Sequence, residues 1–259
     1  MHRRKIAARA MVAAAVAFLT DPALAACELA SGPRTAALVE LYTSEGCSSC
    51  PPADRELGHL RERLDRDAQA VPLALHVGYW DYIGWKDPYA QPAFAERQSW
   101  LVHANGQRTL YTPQFFVNGA ELRARHATLR DEVRRVNATP AAATIRVHGT
   151  LSGSTLHLVA QANTAGSSEP LVLYVALGES DLVSKVARGE NAGVTLEHDH
   201  VVREWIGPVR LGVDGARLER DLALAPSWDR RRLEIAAFVQ DPQSGRVLQA
   251  VGGRCDAGS

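Results

Sequence analysis

The sequence predicts an α/β domain, a mixed sheet flanked by helices, followed by an all-β sandwich-like domain. Three observations lead there. Up to about residue 138, short apolar runs alternate with charged stretches of helical periodicity. Beyond it helical periodicity largely disappears, and alternating strand-like segments are separated by turn signals. Between the two lies Ala138-Thr139-Pro140-Ala141-Ala142, a linker-like composition. Apolar residues at 46% and charged residues at 22% of the 259 fit a folded protein and exclude global disorder. Basic and acidic residues are balanced at 29 each, which excludes a generally basic nucleic-acid binder.

Residues 1–25 read as a secretory signal peptide. Arg3, Arg4, Lys5 and Arg9 precede the apolar run Ala10–Leu19, Asp21-Pro22 breaks it, and Ala23-Leu24-Ala25 supplies small residues for cleavage. The run is shorter than the ~20 residues a membrane span needs, so no transmembrane segment is expected. Cleavage after Ala25 removes four basic residues and one acidic one, leaving a net charge of −3 and a periplasmic or secreted protein. Leu24-Ala25-Ala26-Cys27 also resembles a lipoprotein box, but Asp21-Pro22 interrupts the run that such a box normally follows. The expected organisation is a signal peptide at 1–25, an α/β domain at 26–138 and a β domain at 139–259.

In the first domain Ala37–Tyr42 reads as a buried strand and Ala53–Asp67 as an amphipathic helix with Leu57, Leu60 and Leu64 at helical spacing. Val71–Val77 and Gln114–Val117 read as strands, the latter ending at the Asn118-Gly119 turn. Thr128–Val136 is a helix with Thr128 as its cap. In the second, Thr144–His148, Thr155–Ala160, Leu171–Leu177, Val201–Trp205, Leu233–Val239 and Val247–Val251 read as strands, and Leu182–Ala187 as a loop or short helix.

Cys47-Ser48-Ser49-Cys50 follows a buried strand and directly precedes a helix. Unpaired N–H groups and the dipole of a helix N-terminus favour a thiolate, and a second cysteine one turn along can close a disulfide. Cys47 is then the exposed attacking sulfur and Cys50 the buried resolving one. Spacing alone leaves catalytic and structural disulfides evenly weighted, since nearby cysteines in an exported protein tend to oxidise. Zinc fits poorly, because no second pair completes four ligands.

Tyr111-Thr112-Pro113-Gln114 stands before a strand and hairpin turn. With the cysteine pair it resembles the thioredoxin fold, in which a cis proline faces the redox site. The resemblance implies that Thr112 and Pro113 position a substrate chain by presenting a backbone edge beside the sulfurs. It also implies a buried acid that serves the second cysteine. Glu40 matches that place with a one-residue shift. Buried, it would have a raised pKa suited to proton exchange; facing out, it is only a solvated strand charge.

From His76 to Trp100 aromatics are dense, with Tyr79, Trp80, Tyr82, Trp85 and Phe94, against 6% for the whole chain. They either bury an inserted helix or, through Tyr79, Trp80, Trp85 and Tyr111, form a recognition wall beside Cys47. Glu40–Asp54, His76–Pro88, Tyr111–Gln114, Gly189–Gly193 and His200–Arg203 together resemble the bacterial domain of unknown function 1223 family, over nearly all of the chain after the leader. That resemblance implies an exported thioredoxin-like protein and leaves the activity open.

Cys27 and Cys255, near the two ends, read as a structural disulfide; closing so long a loop contributes roughly 4–5 kcal/mol in the chain-entropy model. His198-Asp199-His200 places two imidazoles at strand spacing, which with His76 offers a weak copper site; hydrogen-bonding histidines are the plainer reading. The function expected is a thiol–disulfide oxidoreductase with no cofactor beyond its own disulfide, acting on protein or peptide thiols with a separate redox partner. The alternatives are a non-enzymatic binding module stapled by Cys47–Cys50 and a copper-handling protein.

Overall fold

A computed structural model describes residues 25–123, 128–164 and 170–254. The expected leader, apart from Ala25, and Cys255 lie outside the described residues. The first half carries β1 (Ala25–Ala30), β2 (Ala37–Thr43), α1 (Pro51–Gly58), α2 (Leu60–Arg63) and β3 (Ala70–His76). A 3-10 turn at Gly78–Ile83, α3 (Pro92–Ala104), the hairpin β4 (Gln114–Val117) and β5 (Ala120–Glu121), and α4 (Leu129–Asn137) complete it. Then come β6 (Ala143–Ser152), β7 (Thr155–Thr164), β8 (Val172–Glu179), β9 (Leu182–Lys185), β10 (Thr195–His198), β11 (Val201–Arg210), β12 (Ala216–Ala223), β13 (Leu233–Gln240) and β14 (Val247–Arg254).

Strand β2 is buried along all seven residues, as the run Ala-Leu-Val-Glu-Leu-Tyr-Thr requires of a strand covered on both faces. Strand β6 alternates instead, with Ala143, Ile145 and Val147 inward and polar residues between them, the pattern of a sheet with one wet face. Helix α4 begins with a capping box: Thr128 and Asp131 each accept from the other's backbone N–H, and Leu129, Val133 and Val136 are buried. The helix expected over Ala53–Asp67 is two shorter ones, broken at His59 and ended by extended Leu64. Gly58 marks the break, where Asp199 approaches so closely that a Cβ would lie 2.7 Å from its carboxylate. Leu182–Lys185 is a strand, β9, paired with β10, rather than a loop or helix.

Among the described residues the strands form three sheets. A four-stranded antiparallel sheet runs β1-β6-β7-β12, a two-stranded one pairs β10 with β9, and an eight-stranded mixed sheet runs β14-β13-β8-β11-β3-β2-β4-β5. This corrects the expected fold class. The structure is mostly β, about 45% strand and 20% helix, and is not a thioredoxin-like α/β domain followed by a sandwich. The physical reason is that β3 pairs on one side with β2 and on the other with β11, through Val201 opposite Ala74. Strands from both halves of the sequence therefore share one large sheet.

One core lies between the four-stranded sheet and the β8-β13-β14 part of the large one, around Ile145, Leu158, Leu173, Val175 and Ile235. A second lies between the large sheet and α3, around Leu38, Tyr42, Leu75, Phe94, Phe116 and Phe238. A third packs α1 and α4 on the opposite face through Val39, Leu41, Leu57 and Val133. Among the described residues no helix is long and apolar enough to cross a membrane.

Side-chain bonds tie early segments to late ones. Gln249 accepts from Ala36 N–H at 2.8 Å and donates to the Gly32 and Arg34 carbonyls. Asn118 accepts from Leu38 N–H at 2.7 Å and donates to Val247 carbonyl. Gly119, at φ +83°, lies so close to the turn between β13 and β14 that a Cβ there would stand 1.8 Å from Gly245 carbonyl oxygen. Gly119→Ala therefore combines a left-handed backbone with a hard clash. Urea denaturation is expected to show a loss of about 2 kcal/mol or more, whereas Gly153→Ala, in open space at φ +57°, should lose less.

Candidate functional site

Strand β2 ends at Thr43, and the chain turns through Ser44–Gly46 into Cys47, with Cys47 N–H donating to Ser44 carbonyl and Cys50 N–H to Cys47 carbonyl. Pro51 opens α1 directly after Cys50, where the first-turn N–H groups have no intrahelical acceptor to lose. Cys47 and Cys50 are joined by a disulfide. The expectation of an exposed Cys47 is corrected: Cys47 and Cys50 are 1% and 0% exposed, and Ser48 and Ser49 form the outer surface. Ser49 Oγ lies 3.3 Å from Cys47 Sγ, where its hydroxyl can donate to the sulfur. Thr112 carbonyl oxygen lies 3.7 Å from the same sulfur. The Thr112-Pro113 bond is cis, and Trp80 Nε1–H donates to Thr112 Oγ1 at 2.8 Å. Cys47, Cys50, Thr112 and Trp80 thus belong to one site, with Pro113 beside Thr112.

A buried polar cluster lies behind the turn. Glu45, fully buried, accepts from Trp85 Nε1–H at 2.7 Å and lies 3.1 Å from His198 Nε2. Its backbone N–H donates to Asp87, whose carboxylate also meets His76 Nδ1 at 2.8 Å. The rings of His76, Tyr89 and His198 stand edge to face, with centroids 5.0–5.6 Å apart. Asp54, one turn beyond Cys50 in α1, completes the group. Burial raises its pKa, against the lowering pull of His76 and His198. Asp54 Oδ1, His76 Nε2, His198 Nδ1 and Thr43 Oγ1 are buried without a hydrogen-bond partner. Burial by itself would discharge His76, but Asp87, then Asp54 and Glu45, push its pKa above the ordinary value.

Glu40 belongs to a different cluster. Alternation along β2 sends Leu41 toward α1, whereas Leu38 and Tyr42 belong to the core beneath α3. Glu40 shares that second parity and is fully buried, so the solvated reading is excluded. Its Oε1 accepts from Arg97 Nε at 2.6 Å and from Tyr42 hydroxyl at 3.3 Å. Arg97 also donates to Gln240 Oε1, and its guanidinium lies 4.7–5.6 Å from the ring centres of Trp205, Phe238, Tyr174 and Trp100. Burial would lower the Arg97 pKa, but Glu40 more than reverses it. The carboxylate expected to serve Cys50 is thus committed to Arg97 on the other face of β2.

The remaining singled-out residues divide. Tyr79 and Tyr111 are 37% and 42% exposed, and Tyr111 hydroxyl donates to Glu121, which with burial pushes its pKa up to about 12. Trp80 and Ile83 close over Gly46, and Ile83 and Trp85 over Gly189. The aromatic segment therefore bridges the cysteine turn and the loop after β9. From that loop Asn191 Nδ2 donates to Glu45 and Cys47 carbonyls at 2.8 and 3.0 Å, and Glu190 accepts from Ser48 N–H at 2.9 Å. His200 lies apart, 2.6 Å from Glu234. No group of three or more His, Cys, Asp or Glu among the described residues is arranged to hold a metal ion. Cys27 is buried on β1, and its expected partner Cys255 is outside the described residues.

Sequence reasoning passed over Glu45, Asp54, Asp87, Glu190 and the anchoring role of Asn191. For Asp54 a signal existed: the four-residue spacing from Cys50 puts the two on one helical face. For Glu190 and Asn191 none did, because the contacts span more than 140 residues.

Comparisons with known proteins agree on kinship and leave chemistry open. A family model described as protein of unknown function (DUF1223) matches residues 38–240. No curated protein matches the chain. A crystal structure of a protein from Agrobacterium tumefaciens is similar, with 22% identity and a TM-score of 0.60, over 88% of this chain and 98% of that one. HBP35 of Porphyromonas gingivalis is similar at 14% identity and a TM-score of 0.66, over 86% of this chain and 76% of that one. At these identities the likeness concerns the fold alone.

The buried His76–Asp87 pair has a definite pH signature. A histidine whose folded pKa is raised contributes stability fully below its unfolded value of about 6.5 and loses it as pH rises through the folded pKa. Urea midpoints should therefore fall on that alkaline side. Asp87→Asn is expected to flatten this decline and to cost about 3 kcal/mol, by stranding a buried partner.

Proposed function

Since the chain belongs to the DUF1223 family of proteins of unknown function, we propose its activity from the site itself: a thiol–disulfide oxidoreductase working through Cys47 and Cys50. The observation that carries this reading is the disulfide set immediately before helix α1, with the Ser49 hydroxyl and Thr112 carbonyl at the Cys47 sulfur. A helix N-terminus favours the anion formed when such a bond opens. We read the substrate as a protein or peptide thiol and the compartment as periplasmic or extracellular, in keeping with the basic and apolar N-terminal residues.

In the proposed reaction a substrate thiolate attacks Cys47 Sγ, forming a mixed disulfide and releasing Cys50 as a thiolate. That buried anion takes a proton from the Asp54 carboxyl. A second substrate thiolate then attacks the substrate sulfur of the mixed disulfide and expels Cys47. The substrate leaves with a disulfide, the protein holds Cys50 as a thiol and Cys47 as a thiolate, solvent returns protons to Asp54 and Cys47, and a redox partner accepts the two electrons. Run backwards, the same steps reduce a substrate, so the partner's potential sets the direction. Thr112 and Pro113 border Cys47 where the substrate backbone would lie, with Tyr79 and Tyr111 as exposed aromatic surface.

A second reading, a binding module in which Cys47–Cys50 is a structural staple, is favoured by the near-complete burial of both residues. A glutathione redox titration separates them. A potential well below about −300 mV would mark a structural bond and end the enzymatic reading.

Variants sharpen the test. Cys47→Ser should abolish insulin reduction, while Cys50→Ser should accumulate a mixed disulfide at Cys47 visible by mass. Asp54→Asn is expected to slow opening of the disulfide by about tenfold or more, within the usual range for lost proton transfer. It should also remove a protonation step from the pH–rate profile. Unchanged opening in Asp54→Asn, with Cys47→Ser inactive, would take the proton role from Asp54 and leave the nucleophile in place.

A further inference from the structure

The loop between β9 and β10 brings a full negative charge onto the cysteine turn. Glu190 Oε2 accepts from the backbone N–H of Ser48, the residue directly after Cys47, at 2.9 Å. The contact is not a loose surface encounter, because the next residue anchors the loop: Asn191 is 6% exposed and donates to the Glu45 and Cys47 carbonyls. Glu190 itself is exposed, and the Ser48 N–H holds its carboxyl below the ordinary carboxylate range. Two fields therefore act on the Cys47 sulfur in opposite senses. The N-terminus of α1 and the Ser49 hydroxyl favour a thiolate; a carboxylate on the adjoining peptide group disfavours it.

The other acidic side chains about the turn face away from the Ser48 peptide group. Glu45 is held by Trp85 and His198, Asp54 faces His76 and His198 behind α1, and Asp81 of the 3-10 turn accepts from Asp87 N–H. Arg188, in the same loop as Glu190, lies beside Gly84. Among the described residues, Glu190 is the charged side chain hydrogen-bonded to the Ser48 peptide group between the two cysteines.

We propose that Glu190 is a positioning residue that tunes the redox pair: its carboxylate on Ser48 N–H raises the cost of the Cys47 thiolate and so stabilises the Cys47–Cys50 disulfide against reduction. The proposal takes the pair as the redox site argued above. The exchange it biases is balanced: protein disulfide and two glutathiones give protein dithiol and glutathione disulfide. A group that disfavours the thiolate form of the dithiol pulls this equilibrium toward the protein disulfide.

The test uses the full chain and the variants Glu190→Gln, which keeps an acceptor for Ser48 N–H without the charge, and Glu190→Lys, which reverses it. After reduction with dithiothreitol, the Cys47 thiol is titrated by thiolate absorbance and by the pH dependence of its alkylation. Glu190→Gln should lower the thiol pKa by about half a unit, roughly threefold more thiolate below it, and Glu190→Lys should lower it further. Above that pKa the glutathione equilibrium should move about threefold toward the dithiol in Glu190→Gln. Added salt should shrink both differences, because the carboxylate is solvent-facing. An unchanged thiol pKa in both variants overturns the proposal, even if insulin reduction persists. A shifted pKa in a protein that turns over no thiol supports it and defeats the oxidoreductase reading alone.

Discussion

Strand β2 has no face left for water. Each of its residues is buried, so the sheet around it must be covered on both sides, and its one charged member, Glu40, must find a partner inside the protein. Helices α1 and α4 cover one face and α3 the other, while β3 and β4 take up its two edges. Strand β2 leads through the Ser44–Gly46 turn to Cys47, so the disulfide lies close to the end of that enclosed strand. It sits on the turn that follows the end of β2, with both cysteines buried.

Burial on both faces divides the ionisable groups into two separate communities. Above, Glu40 and Arg97 neutralise one another amid four aromatic rings, with Tyr42 and Gln240 taking up further hydrogen-bonding capacity. That group is closed by packing, and a buried pair of this kind is costly to break from either side. Even so, Glu40 Oε2 is buried there without a hydrogen-bond partner, and the cluster behind the cysteine turn shares that feature. Asp87 and His76 form a pair and Glu45 has two partners, yet Asp54, His76 and His198 each keep a buried polar atom unpartnered.

Local features were legible in the sequence, and long-range ones were not. The apolar run of β2, the cysteine pair before a helix, the capping box at Thr128 and the alternation of β6 are all written within a few residues. The pairing of β11 with β3 is not, because Val201 and Ala74 carry no mark of each other; without it the halves read as an α/β domain and a separate β domain, which the shared sheet overturns. Glu40 shows a subtler limit. Its burial was one of two open readings, but its partner depends on which face of β2 it takes, and parity with Leu41 sends it away from α1.

The distance along the chain between Ser48 and Glu190 has a consequence in time. A ribosome delivers the cysteine turn 142 residues before the carboxylate that rests on it, and Asn191 and His198 follow later still. During that interval Cys47 and Cys50 exist without the loop that later anchors their backbone, and without the histidine that faces Glu45. Synthesis proceeds at roughly 5–20 residues per second, so the interval lasts on the order of ten seconds. The nascent chain thus passes through a stage in which its two thiols have a chemistry of their own, and the finished fold replaces it only when the last third of the molecule arrives.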